Sequence, residues 1–257
     1  MKAIILAAGQ GTRLRPYTSD RPKCMVSLAG RPMLHRQLET LREAGVQDIT
    51  LVGGYMADRI DAPDTEMVIN PRFSTTNMVA TLFCAKDRID TQDDLLICYG
   101  DIVYEKKVLD SILSSDAEIS VAADQQWRRL WQLRMDDPLS DAETFVMDSD
   151  NRVVELGKPP QGYEEVQAQY IGLIRVRKDC VKRFIKAYDD LDRDSIYDGK
   201  DFDNMYMTSF IQYLIDSKWC VEARLVDNGW LEVDTAGELE LYNKKIADGS
   251  LKDIVNI

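Results

Sequence analysis

The chain of 257 residues carries 32 Lys and Arg against 44 Asp and Glu, a net charge of −12, with a single histidine. An acidic balance of that size disfavours a nucleic-acid backbone binder, which normally needs a basic face, and 45% apolar with 30% charged residues excludes a mainly disordered chain. No apolar run approaches the roughly 18 residues that a membrane span requires, and Ala3 to Ala8 is too short for a signal-peptide core, so a cytoplasmic protein without a membrane partner is expected.

Lys2 to Leu6 is a short apolar, β-branched run that stops at Ala7-Ala8-Gly9, the pattern of a buried strand entering a glycine-bearing loop. Pro32 to Ala44 places Met33, Leu34, Leu38, Leu41 and Ala44 on one face, opens on a proline and closes at Gly45, which predicts a helix with a C′ glycine. Asp48 to Val52 and Glu66 to Ile69 read as strands, Asn77 to Arg88 as an amphipathic helix, and Asp94 to Tyr99 as a buried strand ending at Gly100-Asp101. An acid at the end of a central parallel strand lies where open α/β sheets place their ligands. Val108 to Leu113 reads as a helix and Ala117 to Ala123 as a strand.

From Asp124 to Gln169 the pattern changes to short alternating strands, Trp131 to Met135, Phe145 to Met147 and Val153 to Glu155, which predicts an antiparallel insertion over residues 124–169. Tyr170 to Val176 returns as a strand, Lys178 to Tyr188 and Asn204 to Ile215 as helices, and Cys220 to Leu225 as a strand. Thr235 to Ala247 closes as a helix whose Thr235 and Glu238 form a capping box. Seven or so strands alternating with helices predict one doubly wound, mostly parallel α/β domain over residues 1–257.

The five cysteines are odd in number and lack a C-x-x-C pair, which disfavours both a disulfide framework and a structural zinc site; four of them lie in apolar runs and read as core thiols. The lone histidine, His35, sits on a predicted helix beside Leu34 and Leu38 and reads as a surface or packing residue. Acid, base or metal chemistry must therefore rest on carboxylates, lysines and arginines.

The segment Leu6 to Lys23, LAAGQGTRLRPYTSDRPK, concentrates small residues from Ala7 to Gly11, whose backbone N–H groups can wrap an anion, with Arg13 and Lys23 to add charge. It is neither a Walker A loop nor a G-x-G-x-x-G fingerprint. On spacing alone it reads equally as a phosphate cradle or as a strand-loop turn with surface cations.

The run LAAGxGTRLRPxT…PK resembles the signature loop of the nucleotidyltransferases that attach NMP to a phosphorylated small molecule. That superfamily includes sugar-1-phosphate nucleotidylyltransferases and the phosphocholine cytidylyltransferases of bacterial surface-polymer pathways. Further matches follow in the family's order over nearly the whole chain: VGGY from Val52, TNMVATL from Thr76, YGDI from Tyr99, ELGKPP from Glu155 and LEVDTAGEL from Leu231. The TNMVATL and LEVDT segments resemble the phosphocholine-type branch most, with phosphoglutamine and phosphonate cytidylylation sharing this flavour.

The resemblance implies a Rossmann-like nucleotidyltransferase fold and CTP as co-substrate. It assigns nucleotide binding to Leu6, Ala7, Ala8, Gly9, Gln10, Gly11, Thr12, Arg13, Asn77 and Gly100, catalysis to Arg13, Lys23, Asp101 and Asp234, and Mg²⁺ to Asp101 and Asp234, a hard ion suited to carboxylate oxygens. Asn77 reads equally as a helix cap, and Tyr55 as a strand-end tyrosine or a border of the base. Lys23 and Lys158 match acceptor-contacting lysines, although Gly157 stands where the sugar enzymes carry an acid. Trp127, Trp131 and Glu232 fall near positions where phosphocholine-type enzymes cage an ammonium group; the tryptophans read equally as packing residues. The interleaved Arg128, Arg129 and Arg134 favour an acceptor carboxylate, hence a zwitterionic, amino-acid-like compound.

The function implied is Mg²⁺-dependent transfer of CMP from CTP to a small phosphorylated or phosphono amino compound, with release of pyrophosphate. The alternatives are a sugar-1-phosphate nucleotidylyltransferase making an NDP-sugar and a non-catalytic nucleotide-binding regulator. The expected partners are the nucleoside triphosphate and an anionic or zwitterionic acceptor, with a homodimer left open.

Overall fold

A computed structural model describes residues 1–257. In chain order, β1 (Lys2–Ala7) leads through the signature loop to the short pair β2 (Ser27–Leu28) and β3 (Arg31–Pro32), then to α1 (Met33–Glu43), β4 (Asp48–Gly53), β5 (Glu66–Ile69) and α2 (Met78–Cys84). Next come β6 (Leu95–Tyr99), β7 (Ile102–Tyr104), α3 (Lys106–Leu113), β8 (Ile119–Asp124), α4 (Trp127–Arg134), β9 (Phe145–Met147) and β10 (Val153–Leu156). The chain closes with β11 (Gln169–Val176), α5 (Lys178–Asp189), α6 (Met207–Asp216), β12 (Val221–Val226), β13 (Trp230–Glu232) and α7 (Ala236–Ala247).

The central sheet has seven strands in the order β12-β8-β11-β6-β1-β4-β5. All neighbours are parallel except β11, which runs antiparallel to both β6 and β8. Helices cover both faces, so β1 must be apolar on both sides: Ala3, Ile5 and Ala7 pack with α1, α3, α4 and α7, while Ile4 and Leu6 pack with α2 and α5 and α6. This explains why β1 reads as an unbroken apolar run rather than an alternation.

From β1 the chain steps outward to β4 and β5, and then returns to the other side of β1 as β6. The carboxyl ends of β1 and β6 therefore bound the crevice at the switch point of the sheet, where such folds bind ligands.

Two expectations need correction. Trp131 to Met135 is not a strand: residues Trp127–Arg134 are helix α4, because Trp127, Leu130 and Trp131 recur at helical spacing and bury together. The insertion is accordingly a helix followed by one antiparallel pair, β9 with β10. Of the cysteines, Cys24, Cys98 and Cys180 are buried, Cys220 is half-buried, and Cys84 is exposed on the outer side of α2. The helix end at Gly45 and the capping box of α7 match the sequence reading: Gly45 has φ +83°, and the Glu238 carboxylate accepts from Thr235 N–H at 2.9 Å while Thr235 Oγ1 accepts from Glu238 N–H at 3.2 Å. No helix is long and apolar enough to cross a membrane.

Candidate active site

The signature loop leaves β1 at its carboxyl end and tightens into a 3-10 turn at Thr12–Leu14, with Gly11 in the left-handed region at φ +61°. Gly11 lacks a side chain for a second reason: a Cβ there would lie 3.0 Å from Lys23 Cβ, so the lysine reaches the crevice across its face. The N–H groups of Gly9, Gln10 and Gly11 have no partner within the chain, as an anion cradle requires. Gly100 closes the other lip, where its N–H donates to Leu6 O at 3.0 Å and a Cβ would stand 2.6 Å from that oxygen.

Asp101 and Asp234 are far apart in sequence and meet through a short strand pair. β13 runs antiparallel to β7 with Glu232 opposite Ile102, and Val233 N–H donates to Asp101 O at 3.2 Å. The Asp101, Glu232 and Asp234 carboxylates thereby offer oxygens within 4.8 Å of one another. Lys23 Nζ bridges two of them, donating to Asp101 Oδ2 at 2.7 Å and to Asp234 Oδ1 at 2.5 Å. Arg13 Nη2 stands 3.2 Å from Asp234 Oδ1.

The electrostatics follow from this packing. Burial lowers the Lys23 pKa, but the Asp101, Asp234 and Glu232 charges outweigh it and hold the ammonium protonated well above its ordinary range. Burial would likewise raise Asp234; Lys23, Arg13 and Arg134 outweigh it and keep the carboxyl below its usual range. Glu232 goes the other way. Burial, followed by the negative charges of Asp234 and Asp101, raises it to about 8 despite Arg134 and Lys23.

A cleft of about 300 Å³ joins these parts. Of the residues assigned by resemblance, Leu6, Ala8, Gly9, Gly11, Thr12, Arg13, Lys23, Asn77, Asp101 and Asp234 line it. Ala7 lies in the sheet, while Gln10 and Gly100 frame the loops without lining the cleft. Asn77 does cap α2, its Oδ1 accepting from Met78 N–H at 2.8 Å, and borders the cleft as well. Tyr55 is outside, its hydroxyl donating to Thr18 O at 3.3 Å. His35 lies outside too, its Nε2 2.8 Å from Asp61 O. Thr76 and Thr81 of the TNMVATL segment also line the cleft, as does Phe73, which carried no signal in the sequence.

A second cavity of about 190 Å³ abuts the first and shares Met78, Tyr99 and Asp234 with it. Trp131 and Glu232 line this one, together with Asp141, Glu143 and Tyr206. Lys158 lines neither cavity; it is half exposed and donates to Glu155 Oε2 at 2.7 Å. Trp127 is a packing residue, with its indole N–H donating to Val166 O at 3.2 Å.

The expectation of an arginine cluster facing an acceptor carboxylate is not met. Arg128 lies over the Tyr163 ring at 3.8 Å, and no arginine lines the second cavity. Arg134, its side chain only 2% exposed, is spent on Glu238 at 2.8 Å, Glu232 at 3.2 Å and Asp234 at 3.3 Å.

Could the carboxylates hold a divalent cation? The donor set is entirely oxygen, and Asp101 Oδ1 is buried without a partner, an acceptor left over for a cation or a donor. The residues fit such an ion.

Comparison with known proteins bears on what this crevice belongs to. The profile of the MobA-like NTP transferase domain matches residues 3–197. The CTP:phosphoglutamine cytidylyltransferase of Campylobacter jejuni is 41% identical over 254 residues, covering 95% of this chain and 100% of that protein. The CMP-5'-(3-aminopropyl)phosphonate synthase of Streptomyces rubellomurinus is 29% identical over 248 residues, 93% of this chain but 37% of that longer protein. Two solved structures share the fold. The inositol-1-phosphate CTP transferase of T. maritima superposes with a TM-score of 0.70 at 20% identity over 100% of this chain and 98% of that one. The CTP:phosphocholine cytidylyltransferase of Streptococcus pneumoniae superposes at 0.72 and 20% identity over 95% and 98%.

Proposed function

The chain belongs to the MobA-like NTP transferase domain family and is a nucleotidyltransferase, and from that premise we propose that it transfers CMP from CTP to a small phosphorylated amino compound of the phosphoglutamine type. Residues 1–257 act as one catalytic unit in this reading. The observation that supports it best is the convergence, at one switch-point crevice, of free loop N–H groups, Arg13 and Lys23 with the Asp101 and Asp234 carboxylates. The whole-length relative in Campylobacter jejuni, whose name states the same reaction, narrows the donor and the acceptor.

The chemistry is an in-line displacement. A phosphate oxygen of the acceptor bonds to the α-phosphorus of CTP as the bond from that phosphorus to the bridging oxygen of pyrophosphate breaks. An acceptor phosphate is already anionic at neutral pH, so no general base is needed, and the lone histidine can lie elsewhere. The protein's task is to hold two anions in line and to counter the charge gathered on the α-phosphate and pyrophosphate. The N–H groups of Gly9 to Gly11 cradle the triphosphate, Arg13 flanks it, and Lys23, which reaches both carboxylates, is placed to bridge nucleotide and acceptor. Asp101 and Asp234, with Glu232 beside them, would hold Mg²⁺, which supplies Lewis-acid neutralisation of phosphate oxygens. The second cavity, abutting the first at Tyr99 and Asp234, is the acceptor's side of the site.

The test is pyrophosphate release with each of CTP, UTP, dTTP and GTP, against phosphoglutamine, phosphocholine, aminoethylphosphonate and glucose 1-phosphate. The expected result is turnover with CTP and an amino-bearing acceptor. Turnover confined to the hexose phosphate would reject the reading in favour of NDP-sugar synthesis.

A further inference from the structure

The second cavity has a charge pattern that its neighbour lacks. Asp141, Glu143, Glu232 and Asp234 line it, and no lysine or arginine does. Asp234 is neutralised by Lys23, Arg13 and Arg134, and Glu232 is held through Oε2 by Arg134 at 3.2 Å. Glu143 differs. It is half-buried, and its carboxylate accepts no hydrogen bond and meets no cation anywhere in the chain. Burial, with Asp141 and Asp198 adding like charge, pushes its carboxyl up. Nothing in the fold compensates this group.

Its backbone is nonetheless held firmly. Gln169 at the start of β11, itself buried, accepts from Glu143 N–H at 3.1 Å and donates back to Glu143 O at 2.5 Å, locking the loop to the central sheet. A second polar group is likewise unused: the indole N–H of Trp131, a residue only 4% exposed, is buried without a partner on the wall of the same cavity. Buried polar atoms are paired in nearly all native sites, so an orphaned donor and an uncompensated carboxylate among the residues lining one cavity point to a bound molecule.

We infer that Glu143 is a specificity-determining residue that binds a primary ammonium group on the acceptor, at the end remote from the reacting phosphate. This rests on the reading of the second cavity as the acceptor's side. A primary ammonium brings three N–H donors and one positive charge, which match the free oxygens of Glu143; a quaternary ammonium could donate no hydrogen bond to them. The Trp131 N–H adds a donor for an oxygen of the same molecule. The substrate class is a phosphate or phosphonate that carries a free primary amine.

The experiment compares binding of 2-aminoethyl phosphate and ethyl phosphate, which differ in the amine, by calorimetry with wild type and Glu143→Gln; the melting temperature confirms that the variant folds. The wild type should prefer the amine about tenfold or more, and the variant should lose that preference while ethyl phosphate and CTP bind as before. Absence of an amine preference in the wild type, or an unchanged preference in E143Q, overturns the inference. A separate arm measures CTP turnover with the panel of acceptors: failure there rejects the function proposed above and leaves the binding comparison to decide the role of Glu143.

Discussion

Glu118, just before β8, shows how a single carboxylate is set by opposing forces. Partial burial would raise its carboxyl, but the Cys220 N–H at 2.8 Å and the Arg183 guanidinium at 2.9 and 3.2 Å outweigh that and hold it below the ordinary range. The charged form is therefore preferred in the fold, and its stabilisation is present above the unfolded carboxyl's pKa and lost as pH falls through the depressed value. Glu118→Gln should cost about 1 kcal/mol at pH 7, measured by urea unfolding, and the deficit should shrink as pH falls through and below the ordinary carboxylate range. A deficit that grows on acidification would contradict this account. At this scale Asp101 was singled out by its place at the end of a buried run and by the resemblance, and Asp234 by the resemblance; the structure brings both to one cleft. Glu143 was not legible, because it sits in the acid-rich turn DDPLSDAET and acquires its meaning only from Gln169 and Trp131, both distant in the chain.

Helix α4 carries the clearest element-scale lesson. In WRRLWQLRM the alternation from Trp131 to Met135 mimics a strand, while Trp127, Leu130 and Trp131 mark a helix; packing against Trp230 and the central sheet chose the latter. β7 and β13 were illegible for another reason, since three residues each carry no period, yet their pairing brings the two aspartates together. The helical geometry has a further effect: it delivers Arg134 into the acid cluster, where one guanidinium serves Glu232, Asp234 and Glu238. Arg134→Ala removes the cation paired with Glu232 and Glu238, leaving Asp234 to Lys23 and Arg13, and should cost about 3 kcal/mol or more of stability. Arg134→Lys should recover part of this, because a single ammonium cannot reproduce the planar fork across three partners. Urea denaturation of both variants would settle it; equal loss in the two would show that charge alone, without fork geometry, is immaterial.

Across the whole molecule a charge of −12 surrounds a cleft whose cationic edge is Arg13 with Lys23 behind it, while Arg21 is paired with Asp20 outside that cleft. The Arg13 side chain is 65% exposed and so is open to screening by salt. Calorimetric CTP affinity should fall roughly several-fold between about 0.05 and 0.3 M salt, and Arg13→Gln should weaken binding and flatten that dependence. An unaltered slope in R13Q would remove Arg13 from that edge.

The two adjoining cavities divide the polypeptide between them. The walls of the triphosphate side come from residues up to Asp101 plus Asp234, whereas the other side is built from Trp131 to Glu232 with only Met78, Tyr99 and Asp234 held in common. On the proposed assignment of the two cavities, donor appetite and recipient appetite are written in separate stretches of the chain. A lineage could retailor its recipient by changing the later stretch while the earlier one stays intact, and a laboratory graft of residues 131–232 from a relative should carry the recipient preference with it.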